Sequence, residues 1–271
     1  MQQKGNFLLL EPSEFKDWLD RQTITRRITM LQVHHTWSPN YTTRKNQDCF
    51  RCLEGMRTAH LGNGWSATGQ HISVLETGQY GISLDRDLNK TPAGIKGANT
   101  GAVTIEIIGN FDEGGDWMTE AQRAATAHLY ACLALKLKLP VDTDHIVYHA
   151  WFTPDGSRLA DYTPGKSSKT CPGTRFWGDG NTVAAAKKGF LPAVKAELER
   201  LKSPGAKTPA VPADQVKEEE HVETVKNVLT KDNSVYEGLL KDNQNYVPID
   251  VLRQLGHKVT WDNVSKKLYI S

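Results

Sequence analysis

Two adjacent histidines, His34 and His35, stand at the end of an apolar stretch in the segment VHHTWSPN. Imidazole is a common ligand of transition metals, so the pair raises the possibility of a metal site. Further along the chain, His149 follows another short apolar stretch, and Cys171 lies in the segment KTCPG. Two imidazoles and one thiolate suit a borderline-soft ion such as zinc, and three protein ligands leave a fourth position for water. The residue types therefore make His34, His149 and Cys171 a candidate zinc site.

The predicted elements give these residues a reason to converge. His34 belongs to the end of a predicted strand, ITMLQVHH, and His149 is delivered by a short predicted strand, HIVYHAW. Both segments are short and rich in branched and apolar residues, as buried strands are. The three candidates are far apart in the sequence, so their spacing alone is equally compatible with separate packing roles, and only the fold can bring them together.

The order of predicted elements indicates an α/β domain with a mixed central β-sheet flanked by helices. A nearly continuous apolar run at residues 102–111, interrupted by the charge of Glu106, predicts a central strand. The clearest helix begins after Thr119, which is predicted to form a capping box with Gln122, and Pro140 marks its end. The other predictions are helices at residues 11–22, 44–60 and 183–201, and a hairpin at residues 70–84 whose turn contains Gly78.

Composition and charge exclude several classes of protein. The chain has 271 residues and a formal net charge of +2, so we expect a globular protein with no nucleic-acid partner held by phosphate contacts. The apolar stretch FLLL at residues 7–10 is too short for a secretory signal, and no stretch approaches the roughly 20 apolar residues of a membrane span. The sequence therefore predicts a product made in the cytoplasm without a signal peptide and without membrane insertion.

The cysteines do not predict a disulfide framework in a chain of this size. Cys49 and Cys52 form a C-x-x-C pair, a pattern that can bind metal or act in redox chemistry, but the sequence has no second pair. The spacing of one helix face recurs at Cys49, Leu53, Met56 and His60. We therefore interpret the pair as buried thiols that pack as small apolar residues.

The composition changes at Lys202. Residues 202–221 combine prolines, alanines and a charge run, which is typical of an extended linker. Residues 222–271 predict a small α+β unit, in which VYEGLL is a strand, NYVPIDVLRQLG a short helix and HKVTWDNVSKKLYI a β-hairpin. The predicted organisation is a large domain at residues 1–201, a linker and a small C-terminal domain.

Three motifs occur in the order LQVHHTW, TIEIIGNF and HAW…KTCPG. In this order they resemble the zinc-dependent N-acetylmuramoyl-L-alanine amidases of the type shared by phage endolysins and peptidoglycan recognition proteins. The resemblance covers roughly residues 25–180 and implies a zinc amidase catalytic domain at residues 1–201. The chain looks like an endolysin from a phage of Gram-positive, Bacillus-like bacteria. Such an enzyme is made in the bacterial cytoplasm and acts at the cell wall after release through a phage-made membrane lesion.

The resemblance implies a role for each candidate residue. His34 matches the first zinc ligand, His149 the second and Cys171 the third. Glu106 matches the general base of many bacterial amidases, and Lys169 matches the basic residue that stabilises the oxyanion. These residue types suit amide hydrolysis. Zinc lowers the pKa of its bound water to around 7, and a carboxylate can take a proton from that water and return it. A lysine ammonium can stabilise the negative charge of a tetrahedral intermediate.

Two features depart from the family pattern. Gln70, in the stretch GQHI, stands where the family commonly carries a tyrosine, so catalysis is expected to rely on Glu106 instead. His71, next to it, could line the cleft or pack within the fold. The loop before Cys171 is longer than in compact members of the family, and residues 152–168 could form a lip over the substrate groove.

Several other residues have structural interpretations. His35 is expected to point to the face of its strand opposite His34, since side chains alternate along a strand. Trp37 and Trp151 each follow a predicted ligand and could either stack on sugar rings or fill the core. Helix or surface roles are predicted for His60, His128 and His145.

The C-terminal segment at residues 247–270 resembles the short repeat domain at the N-terminus of copper amine oxidase-like proteins, which also occurs on bacterial cell-wall proteins. The resemblance implies anchoring to the cell wall, because a tethered second binding site raises the effective concentration of the first. A structural or dimerising role is the alternative. It implies no copper, since no cluster of ligands lies in this segment.

Taken with the resemblance, the sequence predicts a bacteriolytic enzyme that cleaves the amide between N-acetylmuramic acid and the L-alanine of the stem peptide, with peptidoglycan as its partner. A non-catalytic peptidoglycan-binding protein on the same fold is one alternative, although such proteins typically lack the cysteine ligand. A cysteine peptidase that uses Cys171 is another, but proline and glycine directly after the cysteine suit a ligand loop better than the start of a helix.

Overall fold

The structure, a computed structural model, describes residues 1–203 and, beyond them, the strands at residues 223–228, 235–241, 244–246, 259–262 and 267–270. The chain divides into two compact units, Met1–Gln215 and Val216–Ser271. Apart from Lys202 and Ser203, the predicted linker at residues 202–221 lies outside the described residues. The same is true of the predicted short C-terminal helix from residue 247 onward.

The first unit contains a seven-stranded mixed sheet, which confirms the predicted fold class. Its strands lie in the order β1-β2-β5-β4-β6-β3-β7. Strand β3 pairs in parallel with β6 and β7, β4 pairs in parallel with β6, and the remaining pairs are antiparallel. The strands are β1 (Gln2–Lys4), β2 (Phe7–Leu10), β3 (Met30–His35), β4 (Ile72–Val74), β5 (Tyr80–Ser83), β6 (Ala102–Ile107) and β7 (Ile146–Tyr148).

Most strands agree with the sequence pattern, and the N-terminal hairpin was missed. The predicted hairpin at residues 70–84 is β4 and β5, and its turn residue Gly78 has a φ of 86°, which favours glycine. The apolar segment Phe7–Leu10 forms β2, which pairs with β5. All four of its residues are buried, so it has no alternation that would mark it as a strand.

The helices of the first unit are α1 (Pro12–Asp20), α2 (Cys49–Gly62), α3 (Glu120–Leu137), α4 (Val183–Ala185) and α5 (Leu191–Lys202), with a π-helical turn (Ala186–Phe190) between α4 and α5. The prediction of a helix from residue 44 is wrong at its start. Asp48 caps α2 by accepting a hydrogen bond from the Arg51 N–H, and residues 44–46 form turns before it.

Helix α3 begins as predicted and ends earlier. The Thr119 hydroxyl accepts a hydrogen bond from the Gln122 N–H, which is half of the predicted capping box. The Gln122 side chain does not return this contact, because its amide donates to the carbonyls of Val74 and Ile108 in the sheet. The helix ends at Leu137 because Lys138 adopts a left-handed conformation, two residues before Pro140.

The two faces of the central strands differ in chemistry. Leu31 and Val33 of β3, with Val103 and Ile105 of β6, lie in the main apolar core, which also contains residues of α1, α3 and α5. Towards their C-terminal ends, the alternate residues are polar and point to the other face: Gln32 and His34 of β3, and Thr104 and Glu106 of β6. Helix α2 packs near that face in a separate, smaller apolar cluster with β2.

No helix among the described residues is long and apolar enough to cross a membrane. The second unit contains a three-stranded antiparallel sheet in the order β10-β9-β8 and a hairpin of β11 and β12. Its strands are β8 (Glu223–Val228), β9 (Val235–Lys241), β10 (Gln244–Tyr246), β11 (Val259–Asp262) and β12 (Lys267–Ile270). Strand β9 and the hairpin agree with the sequence pattern. Strand β10 takes in Asn245 and Tyr246, which the sequence assigned to the short helix.

Candidate active site

The parallel strands β3, β6 and β7 end at one edge of the sheet, and that edge carries the candidate residues. His34 of β3 is the register partner of Glu106 of β6, so the two side chains lie side by side on one face. His149 begins a 3-10 turn directly after β7. Cys171 lies in the loop that follows, and its own backbone carbonyl accepts a hydrogen bond from the Ala150 N–H at 2.7 Å.

The structure brings His34, His149 and Cys171 together. All three are buried, and one donor atom of each lies within 4.8 Å of the others. The Nδ1 atoms of His34 and His149 are 3.2 Å apart, and the Sγ atom of Cys171 is 3.6 Å from His34 Nδ1. Sequence spacing could not establish this convergence, because it depends on three separate elements.

The two donor distances from His34 fit a tetrahedral zinc ion. Zinc holds nitrogen at roughly 2.0–2.1 Å and sulfur at roughly 2.3 Å, so its donors lie ~3.3 Å apart for two nitrogens and ~3.6 Å apart for nitrogen and sulfur. The observed separations of 3.2 Å and 3.6 Å match both values. Burial also lowers the pKa of His34 well below its usual range and that of His149 to about 4, so both imidazoles keep a lone pair at neutral pH.

Glu106 lies beside the donor group with little hydrogen bonding. It has His34 as its register partner on one side and Ser73 on the other. Its Oε2 atom is buried without a hydrogen-bond partner, while the residue as a whole is partly exposed. Burial raises the pKa of Glu106 to about 8, against the opposing effect of the positive charge of Lys169. An acid held in this way can bind and release a proton near neutral pH.

Lys169 lies at the exposed rim of the same cavity, two residues before Cys171. Its loop is anchored by Asp112, whose carboxylate accepts hydrogen bonds from the Thr170 hydroxyl and the Thr174 N–H, both at 3.0 Å. Asn181 adds a bond to the Thr170 carbonyl at 2.7 Å. No local pattern in the sequence indicates the anchoring role of Asp112, because its partners are about sixty positions away along the chain.

A cavity of about 820 Å³ opens over the donor group. The predicted site residues all contribute to its lining, and helix α2 supplies part of the wall. Trp65 also lines the cavity, a role that the sequence did not predict. Its side chain is 39% exposed and stacks on the ring of His60, with the ring centroids 4.8 Å apart. His60 is therefore a wall residue of the cavity as well as a helix residue, and its Nδ1 accepts the Gly69 N–H.

Two alternatives left open by the sequence are decided by burial. Trp151 is fully buried, stacks on Tyr148 and donates to the Asn181 carbonyl, so it fills the core. Trp37 is 59% exposed and lines the cavity. His71 is packed within the fold, where its Nδ1 accepts the Thr104 N–H and its Nε2 lies 3.0 Å from the Lys90 carbonyl.

The other interpretations have mixed outcomes. The interpretation of the C-x-x-C pair as buried thiols is confirmed for Cys52, which is buried, whereas Cys49 is only half-buried. His35 Nδ1 accepts the Phe111 N–H, and His35 also contributes to the cavity lining. None of residues 152–168, for which the sequence left a lip over the groove open, lines the cavity, and Gly156 packs against the Lys96 backbone.

His128 and His145 have structural partners, as their predicted roles require. His128 Nδ1 lies 2.6 Å from the Glu197 carboxylate, which links α3 to α5. His145 Nδ1 lies 2.7 Å from the carboxylate of Asp142. Neither belongs to the donor group.

The fold and the site together define an α/β protein with a three-ligand, metal-type donor set beside a buried carboxylate. Residues 24–174, more than half of the chain, match the family model described as N-acetylmuramoyl-L-alanine amidase. The chain therefore belongs to the N-acetylmuramoyl-L-alanine amidase family.

Solved structures similar to this chain come from two groups. Drosophila PGRP-LB is 18% identical with a TM-score of 0.45, and the match covers 61% of this chain and 83% of that one. The endolysin amidase LysCS from Clostridium intestinale is 21% identical with a TM-score of 0.37, covering 54% of this chain and 76% of that one. A Drosophila PGRP-LB variant in complex with tracheal cytotoxin is 18% identical with a TM-score of 0.40, covering 61% and 83%. No curated protein matches the chain.

Proposed function

We propose that the protein is a zinc-dependent peptidoglycan hydrolase that cleaves the amide between the lactyl group of N-acetylmuramic acid and the L-alanine of the stem peptide. The observation that carries this proposal is the convergence of the donor atoms of His34, His149 and Cys171 within 4.8 Å of one another. They meet at the edge of the sheet where Glu106 and Lys169 line the same cavity. Membership of the amidase family supports the peptidoglycan substrate.

His34 Nδ1, a ring nitrogen of His149 and the Cys171 sulfur would hold the zinc ion. When bound, zinc polarises the substrate carbonyl and lowers the pKa of water to about 7. Glu106 takes a proton from the attacking water and returns it to the amine nitrogen of the departing L-alanine. Its position next to His34 in the sheet places the carboxylate beside the donor group throughout this exchange.

Lys169 acts on the other side of the reaction. Its ammonium group reaches the cavity from the exposed rim, where it can stabilise the negative charge that develops on the substrate carbonyl oxygen. The bonds from Asp112 and Asn181 to Thr170 hold this loop in place, so that Lys169 and Cys171 keep a fixed relation. A positioned charge of this kind costs little reorganisation when the reaction occurs.

The recognition-protein alternative would use the same cavity without hydrolysis. The presence of Cys171 within 3.6 Å of His34 favours the enzyme, since a non-catalytic binder has no need of a three-donor set. The cysteine-peptidase alternative is disfavoured because burial raises the pKa of the Cys171 thiol well above its usual range. A nucleophilic cysteine needs a lowered pKa.

The test is loss of turbidity of purified bacterial cell walls with the native protein, after chelation, and after zinc is added back. We expect lysis, its loss on chelation and its recovery with zinc. Mass spectrometry of the released material should show free stem peptides that begin with L-alanine. Wall binding without lysis would support the recognition protein, and lysis that survives chelation would support the peptidase.

We further propose that the protein is a phage endolysin, made in the bacterial cytoplasm, that lyses the wall after release, and that residues 222–271 anchor it there. The anchoring is tested by pelleting with cell walls, comparing the full chain with a chain ended at residue 221. Equal activity of the two on a soluble muropeptide controls for folding. Equal pelleting would leave the second unit with a structural or dimerising role.

A further inference from the structure

A buried polar network lies beneath His34 on the same face of the sheet. Gln32 is two residues earlier in β3, and Thr104 is its register partner in β6. Gln32 is fully buried and Thr104 is 1% exposed. Both residues lie within the motifs LQVHHTW and TIEIIGNF, but the family resemblance assigns a role to neither of them. A buried glutamine requires partners because an unpaired polar group is costly inside a protein.

The orientation of the Gln32 amide is fixed by its partners. Its Nε2 donates to the carbonyl of Ala98 at 2.8 Å. A carbonyl oxygen only accepts, so the nitrogen of Gln32 must face Ala98, and its Oε1 must face the other way. There Oε1 accepts the hydroxyl of Thr104 at 2.7 Å and lies 3.4 Å from Nε2 of His34.

This arrangement determines which nitrogen of His34 carries the proton. Oε1 of Gln32 cannot donate, so its contact with His34 is favourable only when Nε2 of His34 bears the hydrogen. In a neutral imidazole the other nitrogen is then an acceptor. That nitrogen, Nδ1, is the one that faces His149 and Cys171.

We propose that Gln32 is a positioning residue: held by Ala98 and Thr104, it selects the Nε2–H tautomer of His34 and thereby presents the Nδ1 lone pair to the metal ion. The inference rests on the metal site of the proposed function. It concerns residues of this chain outside the ligand set, and it can be tested on protein without metal.

The packing around Gln32 leaves the amide no alternative position. Gly94 lies so close that an added Cβ would be 2.3 Å from Gln32 Oε1 and 2.6 Å from the Thr104 hydroxyl. Its N–H is in turn held by the Asn99 side chain at 2.9 Å. The backbone at Gly94 therefore covers the network on the cavity side, where it also lines the cavity.

The principal variant is Gln32→Met, which keeps the length of the side chain and removes both amide groups. The matched control is Gln122→Met, because Gln122 is also fully buried and bonds to backbone carbonyls, but lies on α3 outside the donor group. Zinc affinity is measured by competition with a chromophoric chelator, and the His34 tautomer by ¹⁵N NMR of metal-free protein.

We expect the wild type to show His34 protonated at Nε2, and Gln32→Met to show a mixture of tautomers with zinc affinity lowered about 10- to 100-fold. Gln122→Met should match the wild type in both measurements. Unchanged tautomer and affinity in folded Gln32→Met would overturn the inference, as would a wild-type His34 protonated at Nδ1.

Two further measurements keep the test decisive. If Gln32→Met does not fold, the second variant is Thr104→Val, which removes only the hydroxyl that donates to Gln32 Oε1. We still expect a shift in the His34 tautomer. An unchanged ¹⁵N spectrum of His34 would contradict the role of the network. Failure of the wild type to bind zinc would contradict the proposed function, whereas the tautomer of the metal-free protein would still decide the role of Gln32.

Discussion

Strands β3 and β6 present two opposite faces that serve different purposes. Their apolar face, with residues such as Val33 and Ile105, is completely buried in the main core. Their polar face carries His34 and Glu106 beneath an open cavity. Because side chains alternate along a strand, one short element supplies a rigid support and a reactive surface at once. Neighbouring residues of one strand should therefore respond in opposite ways to substitution.

The largest expected effect is on the polar face. Glu106→Gln keeps the size of the side chain but cannot take a proton, so kcat should fall by about 10²–10⁴-fold. Zinc content should stay at the wild-type level, since Glu106 is outside the donor group. The measurement is turnover on purified cell walls beside zinc analysis, with exposed Glu113→Gln as the control. Turnover close to that of the wild type would show that another group is the base.

Lys169→Met should lower kcat by about 10²–10³-fold if the ammonium stabilises the oxyanion. The fold should persist, because Lys169 is exposed. Steady-state kinetics on a soluble muropeptide gives the comparison, with Lys166→Met, an exposed lysine of the same loop, as the control. Equal losses in both variants would assign the effect to the general charge of the loop.

The two tryptophans that follow the ligands should separate stability from binding. Trp151→Ala removes a fully buried ring and should lower the free energy of unfolding by about 3–5 kcal/mol. Trp37→Ala should change it by less than about 0.5 kcal/mol, since the ring is mostly exposed. We expect Trp37→Ala to raise KM for cell-wall fragments instead. Denaturant unfolding and kinetics measure the two effects, and an unchanged KM would exclude a substrate contact by Trp37.

A smaller effect is expected one residue from Glu106, on the apolar face. Ile105→Val removes one buried methyl group and should cost about 0.5–1.5 kcal/mol in the free energy of unfolding. Turnover and zinc affinity should be unchanged, because the side chain points away from the cavity. A loss of turnover without a loss of stability would contradict the separation of the two faces.

The smallest effect concerns acid stability, far from the cavity. Burial alone would raise the pKa of Glu197, but hydrogen bonds from Arg200 and His128 lower it to about 2. Because the folded pKa lies below the unfolded value, this carboxylate stabilises the fold above the unfolded pKa of about 4.3, and its contribution is lost as the pH falls towards 2. Glu197→Gln should flatten the decline in the free energy of unfolding between about pH 5 and pH 2. A decline as steep as that of the wild type would contradict this link between α3 and α5.

The sequence predicted much of this architecture, for physical reasons that can be stated. The strand before His34, the hairpin at β4 and β5, and the cap of α3 have local patterns, since alternation, turn glycines and capping residues act over a few positions. The approach of His34, His149 and Cys171 was proposed from family motifs, and local spacing could not have established it. The zinc ion and the individual catalytic roles stay predictions.

What the sequence missed depends on contacts between distant segments. Gln32 and Thr104 meet only through the register of β3 and β6, and Asp112 meets Thr170 only through the loop after β7. The length of the segment at residues 152–168 shows that the loop is long but not where it packs, and none of its residues lines the cavity. The N-terminal strand β2 was missed because both of its faces are covered.

The backbone hydrogen bond from Ala150 to Cys171 has a consequence for metal capture. It joins the residue after one donor to another donor, so it couples the backbone positions of His149 and Cys171. The third donor, His34, belongs to β3, which is held in the sheet between β6 and β7. If the proposed zinc ion binds here, these constraints would lower the entropic penalty below that of three independent side chains.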